Sequence, residues 1–246
     1  MPKRKVTPTQ IAADIRRLLK DGGSSEHAAG VQWFFKEEIR SRGWYTADLR
    51  KAAVRFRRAI HKEKGLDFLI RVADKLFRGD VLEEKIVAVF LLEKLTGDLG
   101  DREFRLFESW LTRIASWADH DALVHCLIAP MIVAKPQRSK KVFLWAKSRD
   151  RWHRRAACVA LIRGTRRRMF FGEITRLSNF LLSDHDDMVQ KGLGWLLRET
   201  AKAHAKRTVP YLMSIRKRAP RLVLRTACET LPRSVRTRVL SASSRP

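Results

Sequence analysis

The chain has 246 residues, 45% of them hydrophobic, enough to bury a sizeable core in one large domain or one short repeat array. Its 52 Lys and Arg against 26 Asp and Glu give a formal net charge of +26, far beyond what solubility requires; nucleic-acid phosphate is the expected partner, with a ribosomal or membrane-surface role as the alternatives. Three scattered cysteines, Cys126, Cys158 and Cys228, exclude a disulfide framework and, with no CxxC pair, a zinc ribbon, while the longest clean apolar run, Ile86 to Leu92, is far short of the about 20 residues that span a bilayer.

In chain order, basic Met1-Pro2-Lys3-Arg4-Lys5 runs into polar Thr7, Thr9 and Gln10 and not into an apolar signal core, so a soluble, cytoplasmic protein is expected. Apolar residues then recur at helical period and no stretch alternates long enough to demand a strand. Helices are predicted at roughly 8–20, 25–42, 46–62, 65–78, 81–96, 101–115, 117–133, 138–148, 151–164, 168–183, 185–204, 207–218, 220–230 and 232–243. Gly, Pro or capping residues mark most of the breaks between them. Successive pairs are spaced by about 35 to 45 residues, which predicts an all-α, HEAT-like helical repeat solenoid (an α-α superhelix) with a concave basic groove. A single domain over 1–246 is expected, with a basic tail at 1–7 and a C-terminal tail at 241–246. Clusters such as Arg50 to Arg58, Lys135 to Lys141 and Arg163 to Arg168 would meet phosphates along such a groove, although any one of them alone reads equally well as a solvated face.

Three helices carry more than packing. In the first, Trp117 and Asp121 are four residues apart and share one helical face, on the flank of the stripe Leu123, Val124, Leu127 and Met131, with Ser116 and Asp119 available to cap the helix start. A structural ion pair is the plainer use of Asp121. His120 and His125 lie about 140° apart around the helix without a third ligand, so no metal is expected. In the second, Arg155 falls on the apolar face of Cys158, Val159 and Ile162, where a guanidinium needs Asp121 or a phosphate as partner, and Arg154 lies alongside as a further backbone contact. In the third, Val189, Leu193, Leu196 and Leu197 form the core stripe and Trp195 points about 150° away from it, among Lys191, Arg198 and Lys202. That is an aromatic platform in a basic strip, the pattern of a nucleic-acid surface, unless a neighbouring repeat covers the ring.

With these residues in hand, the sequence resembles the DNA alkylation repair family, the AlkD-like glycosylases with HEAT-like repeats. The matching pieces are WFFKEEIRSRGW at 33–44, SWADHDAL at 116–123, RWHRRAACVAL at 151–161 and, most specific, HDDMVQKGLGWLLRE at 185–199. The resemblance implies a DNA glycosylase that excises purines alkylated at N3 or N7 from duplex DNA. It implies Asp121 as the catalytic carboxylate, Trp117 and Trp195 as contacts to the damaged nucleotide's sugar, and Arg155, or Arg154 one residue away, as an assistant at the phosphate. The family's N-terminal aromatic is a tyrosine; here Trp33 or Phe34 takes its place. No cofactor and no obligate protein partner are implied.

The chemistry suits the residue types. An N3- or N7-alkylated purine is already cationic and leaves readily, so the sugar's oxocarbenium-like charge is what needs stabilising, and a fixed carboxylate supplies the opposite charge. Tryptophan faces add about 0.5 to 2 kcal/mol each. No compact aromatic pocket is legible, and the resemblance implies that the lesion is held against the protein's concave face without a deep base pocket. A non-catalytic HEAT-repeat DNA-binding scaffold is the main alternative, and a protein-binding α-solenoid the second.

Overall fold

The computed structural model describes residues 6–241, which form helices and turns with no strand among them. An isolated bridge, Arg40 to Val81, is the one β-type pairing described. The expected tails at 1–7 and 241–246 lie outside the described residues except for positions 6, 7 and 241. The chain divides into two compact units, Met1–Leu127 and Ile128–Pro246, each with its own helices and core.

Unit 1 contains α1 (Pro8–Asp21), α2 (Ser25–Gln32), α3 (Thr46–Lys64), α4 (Leu66–Phe77), α5 (Leu82–Leu92), α6 (Asp101–Trp110) and α7 (Trp117–Leu123). Helix α1 begins where Thr7 and Gln10 form a capping box ahead of Pro8, and it buries Ala12, Ile15 and Leu19, a helical stripe against α4. Helix α5 packs on both α3 and α4 and is buried at every position except Leu82 and Ile86.

The first turn of α5 carries Glu83, Glu84 and Lys85, each less than a tenth exposed. A buried charge is costly unless paired, and all three are. Glu83 accepts from the Ser41 hydroxyl at 2.6 Å, from the Arg42 amide at 2.8 Å and from the Gly43 amide at 2.9 Å. Glu84 takes Arg16 of α1 at 2.7 Å. Lys85 pairs with Asp119 of α7 at 3.0 Å and also donates to the Arg113 carbonyl. One helical turn therefore ties down a loop, a neighbouring helix and the start of α7.

The helix predicted over 25–42 ends at Gln32. Beyond it, the Gln32 side chain takes over the backbone's pairing, donating to the Glu37 carbonyl at 2.8 Å and accepting from the Ile39 amide at 3.1 Å, while Glu83 gathers the amides of 42–44. Gly43 makes the return turn with φ of +72°, and a Cβ there would lie 2.0 Å from the Ser24 carbonyl oxygen.

Unit 2 contains α8 (Ala129–Ala134), α9 (Lys140–Trp145), α10 (Arg151–Thr165), α11 (Phe171–Leu181), α12 (Asp187–Ile215), α13 (Arg221–Ala227) and α14 (Arg233–Leu240). Helix α10 is its centre, packing on α8, α9, α11 and α12. The predicted helices 185–204 and 207–218 are joined in α12, with the break surviving as a kink at His204, where φ and ψ are −147° and 52°. The glycines of the KGLGW segment serve packing. A Cβ on Gly194 would come within 2.7 Å of the Thr226 side chain on α13, and one on Gly192 within 3.2 Å of Arg155 Cγ.

Replacing Lys85 with Met leaves Asp119 buried without its cation and is expected to cost about 3 to 5 kcal/mol of unfolding free energy in urea titration. Gly194→Ala should also destabilise, by about 1 to 3 kcal/mol, because the packing of α12 on α13 must open.

Candidate functional site

Helix α7 starts at a capping box: the Ser116 hydroxyl and amide donate to one oxygen of Asp119, at 2.7 and 2.8 Å, and the Ala115 amide and Lys85 donate to the other. Asp119 and Ser116 are buried. The sequence reading of both as capping residues holds, with Lys85 the partner it missed. This anchors the first turn, and the next residues on the helix, Trp117 and Asp121, inherit its position.

Trp117 lies flat against Phe35, ring centroids 4.9 Å apart and planes 14° from parallel, and its indole N–H donates to the Phe34 carbonyl at 3.4 Å. Asp121 is one-fifth exposed, and its Oδ1 lies 2.7 Å from Nδ1 of His120, whose own side chain is fully buried. An ionised carboxylate only accepts, so the Nδ1 carries the hydrogen and the imidazole fixes the carboxylate's orientation. Here is the role of His120: a support for Asp121.

Both residues open onto a cavity of about 440 Å³ lined by unit 1 alone, with Phe34, Phe35, Trp44, Tyr45 and Phe90 among its walls. Tyr45 stacks on His27 at 4.0 Å. Trp44 is held from behind, donating to the Leu19 carbonyl at 2.8 Å. Of the two aromatics expected from the N-terminal block, Phe34 lines this cavity, whereas Trp33 is 91% exposed and not among the lining residues. Phe35 and Tyr45 do not stand out in the sequence. Reading 25–42 as one helix hides Phe35, and Tyr45 sits just ahead of α3, where no periodicity reports on it.

In unit 2, Arg155 is buried beneath α12, donating to the Met188 carbonyl at 2.6 Å. Arg154 is held by Asp184 at 2.6 Å and by the Ser148 and Arg149 carbonyls. Trp195 is half-buried. The cations predicted around it have protein partners: Lys191 with Asp187, Arg198 with Glu199 and Glu229, Lys202 with Glu199. Burial pushes the Glu199 carboxyl up, but the hydrogen bonds and charges of Lys202 and Arg198 together outweigh it and hold the group below the usual range.

Among the described residues no group of three or more His, Cys, Asp or Glu could hold a metal ion, and no helix is long and apolar enough to cross a membrane.

The sequence profile of a family described as "DNA alkylation repair enzyme" matches residues 15–231. A solved structure described as a "predicted DNA alkylation repair enzyme" from Enterococcus faecalis is similar to this chain with a TM-score of 0.77 at 16% identity, over 86% of this chain and 97% of that one. At that identity the likeness shows a shared all-α helical-repeat fold. No curated protein matches the chain in sequence.

The cysteines offer a check on the local environments. Cys126 lines the cavity at intermediate exposure, whereas Cys158 and Cys228 are buried. Burial pushes the Cys158 thiol from its ordinary 9.0 up to about 12, with Arg155 opposing. A maleimide at pH ~8 is expected to label Cys126 in the native protein and the other two only after denaturation, as read by peptide mass spectrometry. Because the folded value of Cys158 is raised, its neutral thiol contributes fully below about pH 9, and that contribution is lost as pH climbs toward 12. Cys158→Ala should flatten this alkaline loss in thermal melts.

Proposed function

We propose, from the premise that the chain belongs to the DNA alkylation repair enzyme family, that it is a DNA glycosylase that excises cationic N3- or N7-alkylated purines from duplex DNA. One observation carries the reading: Asp121 presents a carboxylate, oriented by a buried histidine, beside the flat face of Trp117 at the edge of an aromatic-walled cavity. A structural ion pair needs no such opening. A carboxylate that acts on a substrate does.

The reaction asks for little acid catalysis. The C1′–N bond breaks, its electron pair moves onto the purine nitrogen and cancels the ring's positive charge, and the sugar is left as an oxocarbenium-like cation. Asp121 supplies a fixed negative charge where that cation develops, and Trp117 presents its π face to the same centre. A water then adds to C1′ and gives up one proton, for which Asp121 is the proposed acceptor, leaving an abasic site. His120 positions the carboxylate and takes no part in bond making.

Binding rests on charge. The +26 formal charge attracts the duplex, and phosphates compete for cations now paired with carboxylates of their own unit. A surface pair such as Lys191 with Asp187 is worth only about 0 to 1 kcal/mol, so Lys191 exchanges its partner cheaply, and the half-exposed Lys202 can also turn outward. Arg154 and Arg198, each held by more than one acceptor, exchange less readily. Trp195 is proposed as a nucleotide contact on its own unit's surface. Arg155, buried, is proposed to support that surface by holding α10 to α12.

The test is release of 7-methylguanine from duplex DNA under single-turnover conditions. Asp121→Asn keeps the shape and hydrogen-bonding reach but removes the charge, and should lower the rate by about 10²- to 10³-fold with duplex binding retained. Tight binding with no release from the unaltered protein would point instead to a non-catalytic DNA-binding scaffold. His120→Ala should lower the rate by about 10- to 100-fold without weakening duplex binding, because it acts only through Asp121.

A further inference from the structure

The last helices of unit 2 are short of acid. Residues 202–238 hold eleven Lys and Arg and one carboxylate, Glu229, and that one is engaged by Arg198 of α12. No acidic residue stands in the first turn of α13 or of α14. The cations around Trp195 have protein partners, whereas the side chains of Arg233 and Arg236 meet no carboxylate among the described residues.

Three arginines of this stretch share one cleft. It has a volume of about 620 Å³, and Arg221 of α13 lines it together with Arg233, Arg236, Thr237 and Ser241. Arg221 is fixed there by donating to the Leu240 carbonyl at 2.6 Å, and Arg216 donates to the Arg238 carbonyl at 2.8 Å, so two cations sit at the C-terminal end of α14, where the helix dipole is negative. Arg233 and Arg236 have no such use. They are neighbours three residues apart on one helical face, both exposed, and their charges repel. The packing of α14 does not ask for them either, since the residue this helix buries is Val239.

Cations gathered without counter-charge favour an anion with several oxygens to share. Guanidinium forks match phosphate oxygens in pairs, and the Thr237 hydroxyl adds a neutral donor. Membership of the DNA alkylation repair enzyme family makes duplex DNA the polyanion that brings such phosphates.

We infer that the cleft of α13 and α14 is a separate DNA contact, which holds the phosphate backbone of a duplex whatever its sequence or damage and takes no part in base release. The inference rests on the chain's acting on DNA and not on the chemistry at Asp121. The cleft supplies affinity for undamaged duplex, and so the time the protein spends on DNA between lesions.

The experiment is binding of the full chain to an undamaged duplex as a function of salt. Arg233→Gln with Arg236→Gln should lower the slope of log K against log[salt] by about 2, close to ~0.9 for each phosphate no longer neutralised, and should weaken binding at least about tenfold at ~0.1 M salt. The charge-keeping pair Arg233→Lys with Arg236→Lys should retain the slope. Removing two charges from α1 instead, by Arg17→Gln with Lys20→Gln, should change it by less than about 0.5. A slope unmoved by the Gln pair in α14, an equal fall from the α1 pair, or a loss of slope in the Lys pair overturns the inference. With a duplex carrying 7-methylguanine, half-maximal single-turnover release should need at least about tenfold more of the α14 Gln pair than of the unaltered protein. Absence of release from the unaltered protein counts against the glycosylase alone, because the comparison on undamaged duplex stands without it.

Discussion

Glu83, Glu84 and Lys85, three consecutive charges buried in the first turn of α5, each reach a different part of unit 1, and the candidate site depends on where they hold it. Lys85 and the capping hydrogen bonds fix Asp119, which fixes the first turn of α7 and so the direction of Trp117 and Asp121. Glu83 fixes the 41–44 turn, which carries the chain into Tyr45. Both sides of the cavity are thus referred to one helical turn. Buried pairs are not strong stabilisers compared with a well-packed apolar core, but losing one partner is costly, so they specify this arrangement against alternatives. Preorganisation of this kind is what an electrostatic catalyst needs, since a carboxylate free to swing loses its advantage as charge develops.

Much of this is legible without coordinates. Helical period locates α1, α3, α10 and most of α12, and the spacing of Trp117 and Asp121 places them on one face because the α-helix permits nothing else at four residues. Ser116 and Asp119 read correctly as caps because capping is a local interaction. What escapes are contacts between residues distant in sequence. Nothing near Lys85 names Asp119 as its partner 34 positions on, and nothing in the 33–42 stretch shows that the Gln32 side chain ends the helix there. With that helix read too long, Phe35 has no role and Tyr45 goes unweighed. His120 has no role in the sequence reading beyond a metal site already set aside there, and its place beside the adjacent carboxylate is visible only when the ring is seen buried and turned toward Oδ1.

The basic excess also takes on a different character in three dimensions. Several of the arginines and lysines that the sequence offers as phosphate contacts are engaged with carboxylates of their own unit, and Arg155 is inside the fold. With 52 cations to 26 anions, pairing each anion once still leaves a large surplus to draw in DNA at long range. In the proposed reading, paired side chains are held in place until phosphates replace their partners. Attraction and placement are then supplied by different residues, and strong salt dependence of binding is the natural consequence.

The central claim is that the Asp121 carboxylate responds to positive charge at the sugar. Its most direct measurement compares two duplexes that carry, at one position, either a cationic pyrrolidine ring in place of the deoxyribose or a neutral tetrahydrofuran of the same shape. The unaltered protein should bind the cationic duplex about 10²-fold more tightly or better, as transition-state analogues do, and Asp121→Asn should erase most of the difference. Equal affinity for the two duplexes, or a preference that Asp121→Asn leaves intact, would contradict the account.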